Sequence, residues 1–307
     1  MSSQKHDEIV RATYNERWKE WINVYEELAR KIADPDYVVR NVTVINQISR
    51  AVIAHAYIRE TNTKGSKIID AACGTGFNTC YLNKQGYKAI GFDFSPVAIE
   101  RARELEASLE LKSTAFVNRD HTYMSEIDDE SVDAVIAMGF VRYVDDAVRD
   151  FFYRNVYRIL KKGGSFILTN TNRLFSMFAL NNETLQFWAD VIEDYSDAGN
   201  LLAHTSVLGA LRSHITVPQR QYAEHSVSRR TATHEENPFE YGKVVEKYGF
   251  NVHKIFYPDA HLLPPFLEQE VDTAALEDMK AKVCLKRADD WRSMFMCYEF
   301  LSILVKK

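Results

Sequence analysis

The chain has 307 residues, 46% of them hydrophobic, and a formal net charge of −5 at pH 7. This apolar content is enough to bury a full sheet between two layers of helices. The negative charge argues against nucleic acid as a partner, because binding to backbone phosphates needs clustered Lys and Arg. The N-terminus lacks the apolar core of a secretion signal and the apolar runs are too short to cross a bilayer. We therefore expect a soluble, cytoplasmic protein that does not bind membranes.

The N-terminal region, residues 1–64, is predicted to be helical and to pack as a cap. Its apolar residues recur with helical spacing on both sides of the break Asp34-Pro35-Asp36. From Lys67 to Thr169 short apolar runs alternate with helical patterns, which predicts a parallel sheet with helices on both faces. The predicted strands are 68–72, 88–92, 113–117, 132–138 and 165–169, the predicted helices are 77–84, 95–109 and 146–160, and Gly163-Gly164 is predicted to end the last helix.

An acid followed by two glycines lies at the end of the first predicted strand. Asp70, Gly74 and Gly76 occupy this turn, and Asp93 ends the next strand. A dinucleotide site would have a third glycine where Thr79 stands, and the Asp70 carboxylate would repel a diphosphate but suit a cationic amino group. A carboxylate at the tip of the second strand can accept hydrogen bonds from both hydroxyls of a ribose. The predicted ligand is therefore an adenosine derivative with a cationic amino group.

The segment from Asp70 to Ser95 resembles motifs I and II of the class I S-adenosylmethionine-dependent methyltransferases. Segments 118–121, 131–139 and 157–164 lie where that family has its later motifs. The resemblance implies a Rossmann-like α/β fold with a seven-stranded, mostly parallel sheet whose last strand is antiparallel, and S-adenosyl-L-methionine as cofactor. The cofactor-binding residues that it implies are Asp70, Ala72, Cys73, Gly74, Gly76, Asp93, Phe94, Asp120, His121 and Met138.

Two insertions are predicted at the same edge of the sheet as the cofactor. The expected organisation is a cap at 1–64, a cofactor-binding core at 65–171, an insertion at 172–236 and the end of the core at 237–307, with a second insertion at about 258–292. A segment that leaves the carboxyl edge after the fifth strand is placed to roof an acceptor pocket. The four cysteines have no Cys-x-x-Cys spacing, so no metal site is predicted.

Methyl transfer from a sulfonium requires the acceptor and the methyl group to be held in line, and a hydroxyl acceptor also needs a base. Tyr143, after the fourth strand, is a candidate for catalysis and for substrate contact, and His225 is a second candidate base. Arg142, Asn172 and Arg173 are candidate substrate ligands. The segment at Asn172 is similar to the exit loop of glycine and sarcosine N-methyltransferases, although a turn that caps the insertion explains it equally well. The remaining candidate bases are His121, expected at the adenine, and His204, His214, His234 and His261, expected at the surface.

These features predict an enzyme that methylates nitrogen or oxygen of a small polar metabolite. One alternative is a methyltransferase for hydroxyl groups of sugars or natural products. Another is a regulatory protein that binds S-adenosylmethionine without catalysis, because cofactor motifs do not prove turnover. The sequence leaves open whether the chain forms a homo-oligomer.

Overall fold

The computed structural model describes residues 42–111, 115–180, 184–189, 209–210, 234–268, 271–272, 275–276, 279–280 and 285–307. Helix α1 (Val42–Thr61) is the described part of the predicted cap, and residues 1–41 lie outside these ranges. Most of the first predicted insertion also lies outside them, His204, His214 and His225 included. Within the described part of the chain, no helix is long and apolar enough to span a membrane.

Seven strands form one sheet in the order β3-β2-β1-β4-β5-β7-β6. Strands β1 to β5 run parallel, whereas β7 is antiparallel to both β5 and β6. This topology confirms the predicted Rossmann-like, mostly parallel sheet. The strand order reverses between β1 and β4, and ligands of such sheets bind beyond the carboxyl ends at that point. The strands are β1 (Lys67–Ala71), β2 (Lys88–Asp93), β3 (Phe116–Asn118), β4 (Val132–Ala137), β5 (Leu160–Thr171), β6 (Phe250–Phe256) and β7 (Glu299–Lys306).

The helices begin where the sequence provides caps. The Ser95 side chain accepts a hydrogen bond from the Ala98 backbone N–H at 3.3 Å, and Pro96 occupies the first turn. The Asp145 side chain caps the next long helix by accepting from the Val148 N–H at 2.9 Å. The main helices are α2 (Phe77–Lys84), α3 (Pro96–Ser108), α4 (Asp146–Ile159), α5 (Phe175–Ala179) and α6 (Tyr241–Glu246). Single turns follow at Pro265–Glu268 and Ser293–Met296, with 3-10 turns at His121–Glu126 and Leu285–Arg287.

Both faces of the sheet are covered. Alternate residues of a strand point to opposite faces, so Phe166 and Leu168 pack with α4 and α6 while Ile167 joins the layer under α1 and α2. Helix α1 is held partly by His55, whose ring stacks on Tyr81 at 4.2 Å between centroids. Burial lowers the pKa of His55 to about 3, so this ring is neutral and serves as a packing group.

Strand β5 differs from the prediction. Helix α4 ends at Ile159 and the strand begins immediately at Leu160, so Gly163 and Gly164 lie within the strand and do not end the helix. Val132 pairs with Leu160 and Ala134 with Ser165, which means that four residues of β5 oppose one residue of β4. This bulge needs the left-handed backbone of Gly163, where φ is +77°.

Gly76 should tolerate no side chain. Its φ is +78°, and a Cβ there would lie 2.5 Å from the Phe116 ring and 2.8 Å from the Ala102 Cβ. We expect Gly76→Ala to lower the free energy of unfolding by about 2–4 kcal/mol, since overpacking adds to backbone strain. Gly163→Ala is the control, because its φ is similar but nothing lies within 4 Å, and it should cost only about 1 kcal/mol. Equal losses for the two variants in urea unfolding would contradict the packing argument.

Candidate active site

The turn between β1 and α2 has an unusual backbone. Ala72, Gly74 and Gly76 have φ values of +55°, +54° and +78°. A left-handed conformation at an alanine costs about 1 kcal/mol or more, and such strain is concentrated at functional sites. Ala72 is partly exposed, whereas Cys73, Gly74 and Gly76 are buried. These four predicted cofactor residues therefore form one tight loop at the carboxyl end of β1.

Asp93 fastens this loop to the end of β2. Its Oδ2 accepts a hydrogen bond from the Gly74 N–H at 3.0 Å, and its Oδ1 accepts from the Ser95 N–H at 2.9 Å. A carboxylate offers about four lone-pair positions, so two further hydrogen bonds can be accepted. Asp93 thus shapes the glycine loop and retains the capacity to bind hydroxyl groups.

Asp70 lies beside the same loop and is 1% exposed. Its Oδ2 accepts a hydrogen bond from the Thr79 hydroxyl at 2.7 Å. Thr79, which the sequence distinguished only as a missing glycine, is therefore the direct partner of this carboxylate. A Cβ at Gly91, on the neighbouring strand, would lie 2.6 Å from the Thr79 Oγ1, so a glycine in β2 makes room for the pair.

The carboxyl groups of Asp70 and Asp93 are both buried. Burial raises the pKa of Asp70 to about 7, with a further contribution from the charge of Asp93, and burial raises the pKa of Asp93 to about 6. Among the described residues, no Lys, Arg or His forms an ion pair with either carboxylate. A cationic, hydroxyl-bearing ligand would supply the missing compensation, whereas a diphosphate would be repelled. The two carboxylates fit S-adenosylmethionine, which has an ammonium, a sulfonium and ribose hydroxyls.

The predicted adenine side lies at the ends of β2, β3 and β4. The Asp120 Oδ1 accepts hydrogen bonds from the Thr122 N–H at 3.0 Å and the Thr122 hydroxyl at 2.6 Å, which begins the 3-10 turn. The His121 ring meets the edge of Phe151 at 5.5 Å. Phe94 and Met138 are partly buried at the ends of their strands. The structure thus brings all ten predicted cofactor residues to one edge, and their contacts with a cofactor stay predictions.

An ion-pair cluster lies beyond the end of β4. The buried Arg142 pairs with Glu299, whose other oxygen lies 2.6 Å from the Arg50 Nη1 of helix α1. Burial opposes ionisation of Glu299, but Arg142 and Arg50 outweigh it and lower its pKa. The Arg142 guanidinium lies 4.8 Å from the Tyr143 ring and 5.1 Å from the Tyr298 ring. The two predicted acceptor residues at this position therefore share one charged and aromatic wall.

The Asn172 side chain forms hydrogen bonds with the backbone of other residues in this protein. Its Nδ2 donates to the carbonyls of Met294 at 2.6 Å and Cys297 at 2.8 Å, and its Oδ1 accepts from the Leu174 N–H at 3.1 Å. The side chain is 1% exposed and joins the end of β5 to the segment before β7, which agrees with the turn interpretation. Arg173 is partly exposed.

Several residues of this edge were not identified from the sequence. Glu299 is the one charge in the apolar run 296–305, and that isolated charge was the available signal. Arg50 gave no signal, because its partner is 249 positions away. Asp259 and Glu268 lie in the second predicted insertion and were likewise not singled out.

Comparison with known proteins gives a family match for residues 68–164, to a methyltransferase domain. The chain is 23% identical to the putative methyltransferase YqeM of Bacillus subtilis, over 65% of this chain and 79% of that protein. It is 31% identical to the S-adenosyl-L-methionine-dependent Diels-Alderase iccD of Talaromyces variabilis, over 36% of this chain and 37% of that protein. The family match includes the glycine loop and Asp93.

A solved structure shares the fold. The 1,6-didemethyltoxoflavin-N1-methyltransferase of Burkholderia thailandensis, determined with 1,6-didemethyltoxoflavin and S-adenosylhomocysteine, is 13% identical and has a TM-score of 0.50. The alignment covers 100% of this chain and 91% of that one.

Asp70→Asn should stabilise the ligand-free protein. The folded-state pKa of Asp70 is raised, so its ionisation destabilises the fold above pH 7, and wild-type stability should rise as the pH falls from 8 to 5. At pH 8 we expect the variant to gain about 1–3 kcal/mol in chemical unfolding, and at pH 5 the gain should shrink. Asp133→Asn is the control, since Asp133 pairs with Lys161 at 2.7 Å at the other edge of the sheet. A less stable Asp70→Asn at pH 8 would contradict the uncompensated charge.

Proposed function

The chain belongs to the class I S-adenosylmethionine-dependent methyltransferases, and we propose that it methylates nitrogen or oxygen of a small polar metabolite. The observation that carries the proposal is the pair of buried carboxylates, Asp70 and Asp93, which have no cationic partner among the described residues. When bound, the cofactor supplies a methyl group on a positively charged sulfur, which is a good leaving group.

The protein's task is to bind and orient. Asp70 is proposed to face the ammonium group and Asp93 the ribose hydroxyls, while Gly74 and Gly76 let the backbone approach the ligand. Asp120 and His121 are proposed to flank the adenine. With Phe94 and Met138 at neighbouring strand ends, these groups would enclose the nucleoside and exclude water from the reacting side.

The acceptor class rests on the residues next to the end of β4. Tyr143, Arg142 and Tyr298 offer aromatic rings and a guanidinium rather than a wide apolar surface. With Arg173 at the exit of β5, they suit a compact acceptor with polar or anionic groups. The matches do not decide the acceptor, because the family model covers residues 68–164 and the relative that is 31% identical is aligned over 36% of this chain.

Binding and methyl transfer need separate tests. The relative that is 31% identical is named as a Diels-Alderase that depends on S-adenosylmethionine. Its name therefore describes a reaction other than methylation. This resemblance favours keeping a second candidate function, in which the chain binds the cofactor without transferring its methyl group. Methylation of a sugar or natural-product hydroxyl is the alternative within enzymes.

Asp93→Asn should weaken binding of S-adenosylhomocysteine at least tenfold in calorimetric titration at pH 8. The amide keeps an oxygen for one backbone N–H but loses the charge-assisted bonds to the ribose. Wild-type affinity should also fall as the pH drops from 8 to 5.5, because Asp70 and Asp93, with pKa values of about 7 and 6, take up protons that oppose a cationic ligand. Asp133→Asn should bind like the wild type. Unchanged affinity of Asp93→Asn would contradict the proposed site.

A screen for release of S-adenosylhomocysteine tests the acceptor class. Amines, amino acids, phenols and sugars are incubated with the wild-type protein and S-adenosylmethionine, and we expect turnover with at least one amine or hydroxyl compound. Activity on RNA or protein alone would contradict a small acceptor. Tight cofactor binding without turnover on any acceptor would favour the regulatory alternative.

A further inference from the structure

A histidine and a carboxylate meet in the segment that follows β6. The His261 Nδ1 lies 2.9 Å from the Glu268 Oε2, and the Glu268 Oε1 accepts from the Leu262 N–H at 3.0 Å. The Lys280 Nζ lies 2.8 Å from the same Oε2. Although burial opposes it, His261 and Lys280 lower the pKa of Glu268 to about 2. This carboxylate is therefore ionised and held by three separate donors.

The Glu268 carboxylate determines the tautomer of the imidazole. An ionised carboxylate can only accept, so the hydrogen of a neutral His261 ring lies on Nδ1 and the lone pair lies on Nε2. Among the residues that the structure describes, Nε2 contacts no hydrogen-bond partner, and the side chain is 26% exposed. A base oriented by a third group is the usual arrangement of a histidine that removes protons.

His261 lies at the edge of the sheet that carries the candidate active site. Its N–H donates to the Met296 carbonyl at 2.7 Å, just before β7. Its ring lies 5.2 Å from the Phe175 ring, which lies 5.7 Å from the Tyr298 ring. Tyr298 in turn contacts the Arg142 guanidinium, which covers Tyr143. A row of contacts thus joins His261 to Tyr143, six positions after the end of β4.

We propose that His261 is the general base for the acceptor and that Glu268 is its positioning residue, a proposal that rests on the proposed function. The O–H bond of a hydroxyl acceptor, or one N–H bond of a protonated amine, breaks and the proton moves to the His261 Nε2. The electron pair left on oxygen or nitrogen forms the new bond to the methyl carbon, and the carbon–sulfur bond breaks with its pair remaining on sulfur. The imidazolium then returns its proton to water.

Two carboxylates interact with the His261 side chain. Glu268 contacts the ring directly, and Asp259 interacts with it electrostatically. The ammonium of Lys280 attracts both carboxylates. Glu299 and Arg50, which pair with each other, also act on Asp259 with opposite signs.

His261→Asn removes the proposed base but keeps the hydrogen bond to Glu268. Its amide nitrogen replaces Nδ1 as donor to Glu268, but no atom replaces Nε2. With the panel compound that the wild type methylates fastest, we expect kcat to fall at least 100-fold and the acidic limb of its pH profile to disappear. Binding of S-adenosylhomocysteine should stay within twofold of wild type. His253→Asn, at an exposed position of β6, is the matched control and should keep wild-type kcat.

Nitrogen-15 NMR of the histidine rings gives a readout that needs no turnover. In the ligand-free wild type we expect His261 to carry its hydrogen on Nδ1, and Glu268→Gln should weaken that preference. A hydrogen on Nε2, or wild-type kcat in His261→Asn, would overturn the base while leaving the proposed function intact. A wild type that methylates no panel compound would overturn both, and this failure is visible without any variant.

Discussion

The main constraint on this structure is the burial of two carboxylates in the protein interior. Asp70 and Asp93 lie at the ends of neighbouring parallel strands and are both buried, and no basic side chain of the described chain neutralises them. Such an arrangement opposes folding, because a buried carboxylate without a countercharge is costly. The fold contains the cost with neutral donors, namely the Thr79 hydroxyl and the N–H groups of Gly74 and Ser95.

The same donors connect the parts of the site. The Asp93 carboxylate accepts from the Gly74 backbone N–H and so ties the glycine loop to the end of β2. Gly91 leaves room for Thr79, and Gly76 leaves room for Phe116. A site built this way gives up stability in the free protein in return for charge complementarity with a cationic ligand.

The proposed acceptor side is organised differently. There, long charged side chains from distant parts of the chain compensate one another, as in the group Arg50, Glu299 and Arg142. His55 packs α1 against α2 and so helps to place Arg50 next to β7. The proposed cofactor side thus holds carboxylates without a countercharge, whereas the proposed acceptor side holds balanced charges and aromatic rings.

Local chemistry in the sequence was enough to locate the glycine loop, Asp93, the helix that follows Asp93 and most strands of the sheet, because each depends on residues a few positions apart. The parallel order then placed the predicted cofactor residues together, since the carboxyl ends of parallel strands share one edge. Tertiary packing alone decided the bulge at Gly163. There, β5 has four residues between two paired positions and β4 has one. It also directed the Asn172 amide to the carbonyls before β7 and joined Arg142 to Glu299 across 157 positions. Such contacts depend on which strands become neighbours, and no pattern within a short window of sequence encodes that choice.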